Sequence, residues 1–499
     1  MSTIRRQSII SSGIVYLGFA LGALNTLLFA KVLSPEEYGL VTGMFVSIGN
    51  ILFALANLGM PSFINKFYPY YKDNLKAKEN DMMSLALTIT FTAFLLVIAS
   101  GIVFKPLVIR KFGNNSDLLV HYYYWVFPFG LGLSLFTVLE AYGWQLKQSV
   151  LTSYLREFQW RLFNLILILL LFIGVLHGFD LFVKLYSFSY LLITGIFVVI
   201  LVRKGELHFT FSPSRVTKKF LAKIKSLILL AWTANVMFNI SFYFAQIVIA
   251  AIVPGGLAAV AVFSMGQYVA SLVMAPQRGV AAAAIGPLSQ AWKDKDYARI
   301  SRIYSRSSIN QLIFSVGIFI LIGINFRDGL LTFGLDRYLG AEIIFLIIGF
   351  NRIIDMGTGL NTQIIGTSVY WRFDFYTGMI LVALTVPLNY LMARRFGIIG
   401  PAIADILTFS LYNGIRCIFL YRRFKMQPFS RQSAYTVLLG LAVYLICYVL
   451  FHRYRGLVWL ILRSATFLVL YGGGIVALRL SDDVAPVWAT VKKRLRITR

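Results

Sequence analysis

Charged residues are scarce in this chain. They make up 13% of its 499 residues, whereas a soluble domain usually carries about a quarter. Polar linkers are also lacking, although a soluble protein of this length would usually divide into two or three domains. Instead, apolar runs of roughly 18 to 25 residues recur along the chain, each long enough to cross a hydrocarbon core as a helix. The composition excludes a soluble protein and predicts an all-α integral membrane protein.

The sequence shows no pattern of cysteines or histidines, and no nucleotide-binding motif, that would indicate a metal site, a disulfide framework or ATP hydrolysis. The two cysteines, Cys417 and Cys447, lie in separate apolar runs, and the four histidines are scattered. Neither set has the spacing of a metal site or a disulfide framework. A Walker A loop is missing as well, so ATP hydrolysis is not expected. We therefore predict no metal, no cofactor and no catalytic constellation.

Basic residues dominate the few charges, and the net charge is +27. Lys and Arg lie in the short segments between apolar runs, which is typical of loops retained on the cytoplasmic side. This placement argues against nucleic acid as a partner. It places both termini in the cytoplasm, and it suits membrane lipids with anionic headgroups and an anionic substrate.

About fourteen transmembrane helices are predicted. They lie near 9–30, 40–60, 82–103, 118–139, 162–176, 182–202, 226–253, 257–276, 309–324, 341–365, 375–393, 400–420, 434–451 and 457–478. The turn at Pro35 and a later turn at Pro254 repeat at an offset of 219 residues, which suggests two related halves. We predict a six-helix lobe (1–202), a basic amphipathic linker (203–225), a second six-helix lobe (226–420), two additional helices (434–478) and a basic cytoplasmic tail (479–499). The stretch 288–306 and the tail are also read as amphipathic surface helices or basic loops.

Polar residues inside apolar spans are costly unless they face a cavity or a partner. In the tenth span, Arg352, Asp355, Thr358 and Thr362 recur on one helical face. Arg352 and Asp355 either pair with each other and brace the bundle, or line a cavity. There the arginine would bind phosphate oxygens through two parallel hydrogen bonds.

Other polar residues form weaker patterns. The amides of the seventh span suit either a sugar or hydrogen bonds between helices. Arg416 in the twelfth span either lines a cavity or extends its charged end to the membrane interface. Arg463, near an end of the fourteenth span, is expected to extend to the interface. The complete set of candidate substrate-binding residues is Arg352, Asp355, Arg278, Lys31, Arg416, Asn235, Asn239, Gln246, Asn25 and Asn57.

Several short motifs resemble a known family. Residues 33–40 (LSPEEYGL) are similar to the opening signature of Wzx-type polysaccharide (O-antigen) flippases of the MOP exporter superfamily. Residues 58–60 (LGM) and 63–69 (FINKFYP) look like the end of the second span in that family, and 396–402 (FGIIGPA) looks like the turn before the twelfth. The motifs cover mainly the first 75 residues and the turn near 400, while the layout covers the whole chain.

The resemblance implies a flippase of the bacterial cytoplasmic (inner) membrane that works by alternating access around a cationic cavity. It implies an undecaprenyl-pyrophosphate-linked oligosaccharide as substrate, moved to the outer leaflet for O-antigen, capsule or exopolysaccharide synthesis. A polysaccharide polymerase and other assembly proteins would be partners, and Na+ or H+ the candidate coupling ion. Such a protein is not an enzyme.

Two alternatives remain open. One is a multidrug exporter of the same superfamily, although few carboxylates lie within the spans. The other is a membrane glycosyltransferase or polymerase that uses Glu36 or Glu37 in the first outer loop. Such enzymes usually have a sizeable outer domain, which this chain lacks.

Overall fold

The computed structural model describes residues 3–275 and 277–483. This part of the chain is helical throughout and contains no strand, as predicted. Ten of its helices are long and apolar enough to cross a membrane, or eleven when one bent pair counts as a single span. Every one of the fourteen predicted segments overlaps a helix, but some of these are too short or too polar to qualify. The predicted fold class is confirmed, and the number fourteen is approximate.

The chain divides into two compact units, residues 1–261 and 262–499. The helices of the first unit are α1 (Thr3–Val32), α2 (Pro35–Ala56), α3 (Met60–Asn74), α4 (Met82–Phe112), α5 (Tyr123–Gln145), α6 (149–172), α7 (Phe179–Arg203) and α8 (Arg215–Ile252). Helix α9 (Gly256–Ser271) contains the boundary. The second unit continues with α10 (Gln277–Lys293), α11 (Tyr297–Gly323), α12 (Phe326–Thr332), α13 (Ala341–Gly357), α14 (Asn361–Thr367), α15 (Trp371–Phe396), α16 (Gly400–Phe424), α17 (Arg431–Phe451) and α18 (Leu457–Ala477).

Large apolar side chains cover the outside of several helices. Leu96 and Val103 on α4 are 66% and 71% exposed, and Val469 on α18 is 72% exposed. A soluble monomer rarely leaves such continuous apolar surface in water. Surrounding lipid would cover it, so these helices belong in a membrane.

The boundary between the compact units differs from the predicted lobe boundary. Helix α8 belongs to the first unit, where it packs against α2 and α3. Residues 215–225, predicted as part of a separate linker, are the first turns of this 38-residue helix. The helix is continuous because no Pro or Gly interrupts it and because Val216 and Ile224 bury an apolar stripe. The division into two six-helix lobes stays a prediction.

The other predicted surface helices also differ from the structure or lie beyond it. The stretch 288–306 is divided between the end of α10 and the start of α11, with a break at 294–296. The tail beyond Asp483 lies outside the described residues.

A buried hydrogen-bond network fixes the start of α8. The hydroxyl of Thr217 lies 2.7 Å from the phenol oxygen of Tyr71 on α3 and donates a hydrogen bond of 2.7 Å to the carboxylate of Asp81. Asp81 also accepts a hydrogen bond from the backbone N–H of Ser214. Burial raises the pKa of Tyr71 to about 12, so its hydroxyl keeps its proton at neutral pH.

Thr217→Val is expected to destabilise the protein by about 2 kcal/mol, because it leaves two buried polar groups short of a partner. Thr233→Val on the same helix is a matched control, since that hydroxyl bonds only to the backbone carbonyl of Leu229. Thermal unfolding in detergent should show a lower midpoint for Thr217→Val alone. Equal shifts for both variants would mean that the network contributes nothing.

Candidate functional site

Three predicted site residues of the second unit, Arg352, Asp355 and Arg416, lie on α13 and α16, and a polar cluster forms where these helices meet α14 and α15. Arg416 is its most buried cation, with 1% of its surface exposed. Its guanidinium pairs with Asp374 and donates a hydrogen bond of 2.5 Å to the hydroxyl of Thr362. It also donates bonds of 3.3 Å to Thr377 and lies 3.8 Å from the ring centroid of Tyr412.

These contacts show that Arg416 does not extend to the membrane surface. Its donors point to side chains of two other helices, α14 and α15, so the positive charge is held inside the protein. Such a buried cation is compatible with binding an anion, and equally with holding the helices together.

Asp355 lies in the same cluster, held by amides. Its two carboxylate oxygens accept hydrogen bonds of 3.0 Å from Asn413 and 3.1 Å from Gln277. Asn413 in turn accepts a hydrogen bond of 3.0 Å from Asn361. The partners of Asp355 therefore come from α10 and α16.

The tenth predicted span is broken between Asp355 and Thr362. Helices α13 and α14 meet at an angle of 46°, and Gly359 at the break has a φ of 64°. Glycine adopts this left-handed backbone without the steric cost that other residues bear. The regular stripe predicted for a straight helix is therefore wrong beyond Gly357, and the bend turns Thr362 toward Arg416.

Arg352 forms a second buried centre one turn before Asp355. It is 4% exposed, lies 5.7 Å from the ring centroid of Phe409, and interacts electrostatically with the carboxylate of Asp405 on α16. Asp405 is itself 4% exposed. The structure thus places Arg352 and Asp355 on the side of α13 that meets α16, the helix of Arg416. The choice between a cavity and a brace stays a prediction.

In the first unit, three predicted amides bind one another. Asn57, directly after α2, donates a hydrogen bond of 3.3 Å to the side chain of Asn235 on α8, and Asn239 donates one of 2.9 Å to the same oxygen. One turn earlier, Trp232 donates to the backbone carbonyl of Leu55. In this conformation these amides join α2 to α8. This arrangement matches the second use considered for them, which is hydrogen bonding between helices rather than binding a sugar.

The remaining predicted residues are dispersed. Asn25 donates a hydrogen bond of 2.8 Å to the backbone carbonyl of Arg161, and Gln246 is buried within α8. Lys31 is exposed at the end of α1. Arg278 belongs to α10, and its side chain lies outside the described part.

Sequence reasoning missed two ion pairs of the first unit. Arg156 lies 2.6 Å from the buried carboxylate of Glu140, and Arg161 lies 3.1 Å from Glu157. The predicted spans leave all four residues in the loop 140–161, because charge lowers hydropathy. In the structure, α6 already begins at residue 149. The spacing of Glu157 and Arg161, four residues apart, was the available signal for a helix.

Arg463 forms a further ion pair between helices that sequence reasoning missed. Its guanidinium lies 2.8 Å from Asp328 and donates a hydrogen bond of 2.6 Å to the backbone carbonyl of Ile324. The side chain is 7% exposed. The pair joins α18 to α12, and a partner so distant in sequence was not visible from composition.

Residues of the family-like motifs have structural roles. Ser34 and Glu37 form a reciprocal capping box at the start of α2. A methyl group on Gly39 would lie 1.9 Å from the carbonyl oxygen of Leu257, and one on Gly400 would lie 2.1 Å from that of Met392. The capping explains Glu37 without a catalytic role, and the glycines allow close backbone packing.

Comparison with models of known protein families finds no match, and comparison with curated proteins finds none either. Solved structures do match. The lipid II flippase MurJ, in an inward closed conformation, superposes with a TM-score of 0.73 at 15% identity, covering 94% of this chain and 99% of the flippase.

Transporters of the same superfamily match a smaller share of the chain. An inward-facing multidrug resistance MATE transporter has a TM-score of 0.66 at 15% identity and covers 84% of this chain and 98% of its own. A transporter from Pyrococcus furiosus, whose binding pocket is described as reversed in polarity, has a TM-score of 0.58 at 14% identity. That match covers 84% of this chain and 95% of the transporter. The chain therefore has the fold of MOP-superfamily transporters.

Proposed function

We propose that this protein moves an undecaprenyl-pyrophosphate-linked oligosaccharide from the cytoplasmic to the outer leaflet for surface polysaccharide synthesis. The observation that carries the proposal is the extent of the structural match. The flippase match covers 94% of the chain, whereas the multidrug transporter matches cover 84%. The family-like motifs point the same way.

The physical task fits the residues of the second unit. A pyrophosphate and its sugars cannot cross hydrocarbon unaided, because each desolvated polar group costs several kcal/mol. Arg352 and Arg416 supply positive charge within the helices, and Asn361 and Asn413 supply amide donors and acceptors for hydroxyls. Movement of a lipid-linked substrate breaks no bond, so the protein acts as a transporter and not as an enzyme.

The setting follows from the charge pattern and the resemblance. The protein lies in the bacterial inner membrane with both termini in the cytoplasm, and a gradient of Na+ or H+ drives alternating access. A polysaccharide polymerase receives the product on the outer side.

A second candidate is export of small drugs, favoured by the multidrug transporter matches. Such exporters bind cations, for which carboxylates are the natural ligands. The strong excess of basic residues, with a net charge of +27, weighs against it.

Depletion of the protein in its host separates the two candidates. Undecaprenyl-linked oligosaccharides are measured by mass spectrometry alongside surface polysaccharide. Accumulation of a complete lipid-linked repeat unit inside the cell, with loss of surface polymer, is the expected result. A unit that accumulates on the outside contradicts the flippase proposal and points to a polymerase. No change in either supports drug export.

Arg352→Lys is expected to lower surface polysaccharide several-fold while leaving the amount of folded protein unchanged. Lysine keeps the charge beside Asp405 but cannot form two parallel hydrogen bonds to phosphate. The readout is polysaccharide yield at matched protein level, with Arg352→Ala alongside. Full activity of Arg352→Lys with loss of folded Arg352→Ala would assign Arg352 to structure alone.

A further inference from the structure

A basic cavity opens on the second unit, and its lining includes none of the contact residues of Arg416. It is lined by the end of α10, the start of α11, the loop 367–370 and the end of α16, and its volume is about 1090 Å³. Its cations are Lys293, Lys295, Arg423 and Lys425. All its segments lie on the side that the charge pattern assigns to the cytoplasm.

The charges of this cavity are not neutralised locally. None of its twelve lining residues is acidic, and none of its four cations forms an ion pair with a carboxylate in the described part of the chain. The neighbouring acids act elsewhere. Asp294 accepts hydrogen bonds from Gln290, and Asp296 caps α11 by accepting from the backbone N–H of Arg299. Four like charges around one cavity repel one another, so an anion placed among them would be attracted by all four.

The aromatic floor of the cavity is rigid. The ring of Phe424 packs against Trp292 at 5.0 Å, Tyr370 at 5.8 Å and Tyr297 at 5.9 Å between centroids. Trp292 also donates a hydrogen bond of 3.0 Å to the backbone carbonyl of Ile364. This packing fixes the wall from which the cations extend.

Two of the cations belong to residues with an uncommon backbone conformation. Lys295 and Lys425 have φ values of 56° and 57°, a left-handed conformation that is uncommon for residues other than Gly, Asn and Asp. Each directs its side chain from a helix end into the same cavity. Arg423 is fixed by the hydrogen bond of 3.1 Å that its Nε donates to the hydroxyl of Tyr370.

Hydroxyl groups and one exposed apolar residue complete the lining. Ser289, Thr367 and Ser368 offer hydrogen-bonding groups beside the cations. Val369, at the tip of the loop, is 83% exposed. Cations, aromatic rings and an exposed apolar tip together are typical of a protein surface at the level of lipid headgroups.

We propose that this cavity binds a phosphate anion independently of the transported substrate. The chemistry is that of a phosphodiester or pyrophosphate group held by Lys293, Lys295, Arg423 and Lys425. An anionic phospholipid headgroup is the source that the aromatic rings and Val369 favour, and a free cytoplasmic phosphate compound is the other. The proposal goes beyond the proposed function and holds whatever cargo the protein moves.

The test titrates the purified full-length protein with three probes while its thermal unfolding is followed. These are phosphatidylglycerol, phosphatidylcholine and inorganic pyrophosphate. A ligand that binds only the folded state raises the unfolding midpoint with a saturable dependence on concentration. We expect phosphatidylglycerol to stabilise the protein and phosphatidylcholine to have no effect.

The deciding variant is the double change Lys295→Asn and Lys425→Asn, because asparagine tolerates the left-handed backbone and removes only the charge. We expect it to bind phosphatidylglycerol on the order of 30-fold more weakly, since each lysine near an anionic lipid surface contributes about five-fold. The matched control is Lys218→Gln with Lys219→Gln, which removes two exposed charges from α8, outside the cavity. This control should bind like the unchanged protein.

The outcomes separate the sources and the site. Stabilisation by phosphatidylglycerol alone assigns the ligand to lipid, and equal stabilisation by pyrophosphate assigns it to a soluble phosphate compound. Either result supports a binding site in the cavity when the Lys295/Lys425 variant is no longer stabilised by the same ligand. If the variant responds as the unchanged protein does, or if the Lys218/Lys219 control loses binding equally, the proposal is overturned.

Discussion

Asp374→Asn is expected to lower the free energy of unfolding by about 3 kcal/mol, because it leaves the guanidinium of Arg416 buried without a counter-charge. Arg416 is 1% exposed, and its other contacts are neutral groups, namely Thr362, Thr377 and the ring of Tyr412. The expected loss lies at the low end for a broken buried pair, since water reaches the carboxylate side, where Asp374 is 37% exposed.

The reverse change should be milder. Arg416→Met leaves a carboxylate that water can hydrate and replaces the guanidinium with an apolar chain that packs between helices. The double variant Asp374→Asn/Arg416→Met should recover part of the loss, because replacing a buried ion pair by apolar groups is often neutral. Thermal unfolding of the four proteins in detergent gives the coupling between the two residues.

Asp180→Asn provides the matched control. Asp180 pairs with Lys184 at 2.6 Å on α7, but the two side chains are 54% and 36% exposed. An exposed pair of this kind contributes about 0–1 kcal/mol. Equal destabilisation by Asp374→Asn and Asp180→Asn would show that the burial of Arg416 has no energetic consequence.

The asymmetry of this pair bears on function. Under the proposed function, Arg416 would exchange its contact with Asp374 for a contact with the phosphate of the substrate. A double variant that is stable but inactive would assign the charge of Arg416 to transport. A stable and active double variant would assign the pair to folding alone.

The spans were predictable from the sequence because they depend on length and hydropathy alone. Each predicted segment overlaps a helix. The polar stripe identified Asp355, but it did not predict that Asn413 of another span would donate a hydrogen bond to this carboxylate. Two glycines separated by one residue, Gly357 and Gly359, lie at the bend that divides α13 from α14, although the helical pattern of the sequence continues through them.

The partners of the charged residues were not predictable. Asp374 and Glu157 lie at or before the predicted helix starts, where charge lowers hydropathy and hides the helix. Their partners are chosen by packing between helices that are distant in sequence, as with Arg463 and Asp328, 135 residues apart. Pattern and propensity describe one helix at a time, so a network across several helices needs the tertiary structure.

Gly39→Ala is expected to prevent most of the protein from folding, although alanine is the better helix former. Gly39 has an ordinary helical backbone, with φ of −62°, so conformational freedom is not the reason. The reason is space. The added methyl group would lie 1.9 Å from the carbonyl oxygen of Leu257 and 2.8 Å from its carbon, where α2 packs on the start of α9.

Backbone atoms cannot rotate away as a side chain can, so the two helices would have to separate. Overpacking of a well-packed core costs about 1–3 kcal/mol, and a clash with backbone belongs at or above the upper end.

Gly195→Ala on α7 is the matched control, since no atom lies within 4 Å of its new methyl group. That variant should be neutral or slightly stabilising. The amount of monodisperse protein after solubilisation measures both. A normal yield for Gly39→Ala would show that α2 and α9 do not depend on this contact. A selective loss would give Gly39 in the LSPEEYGL motif a packing role.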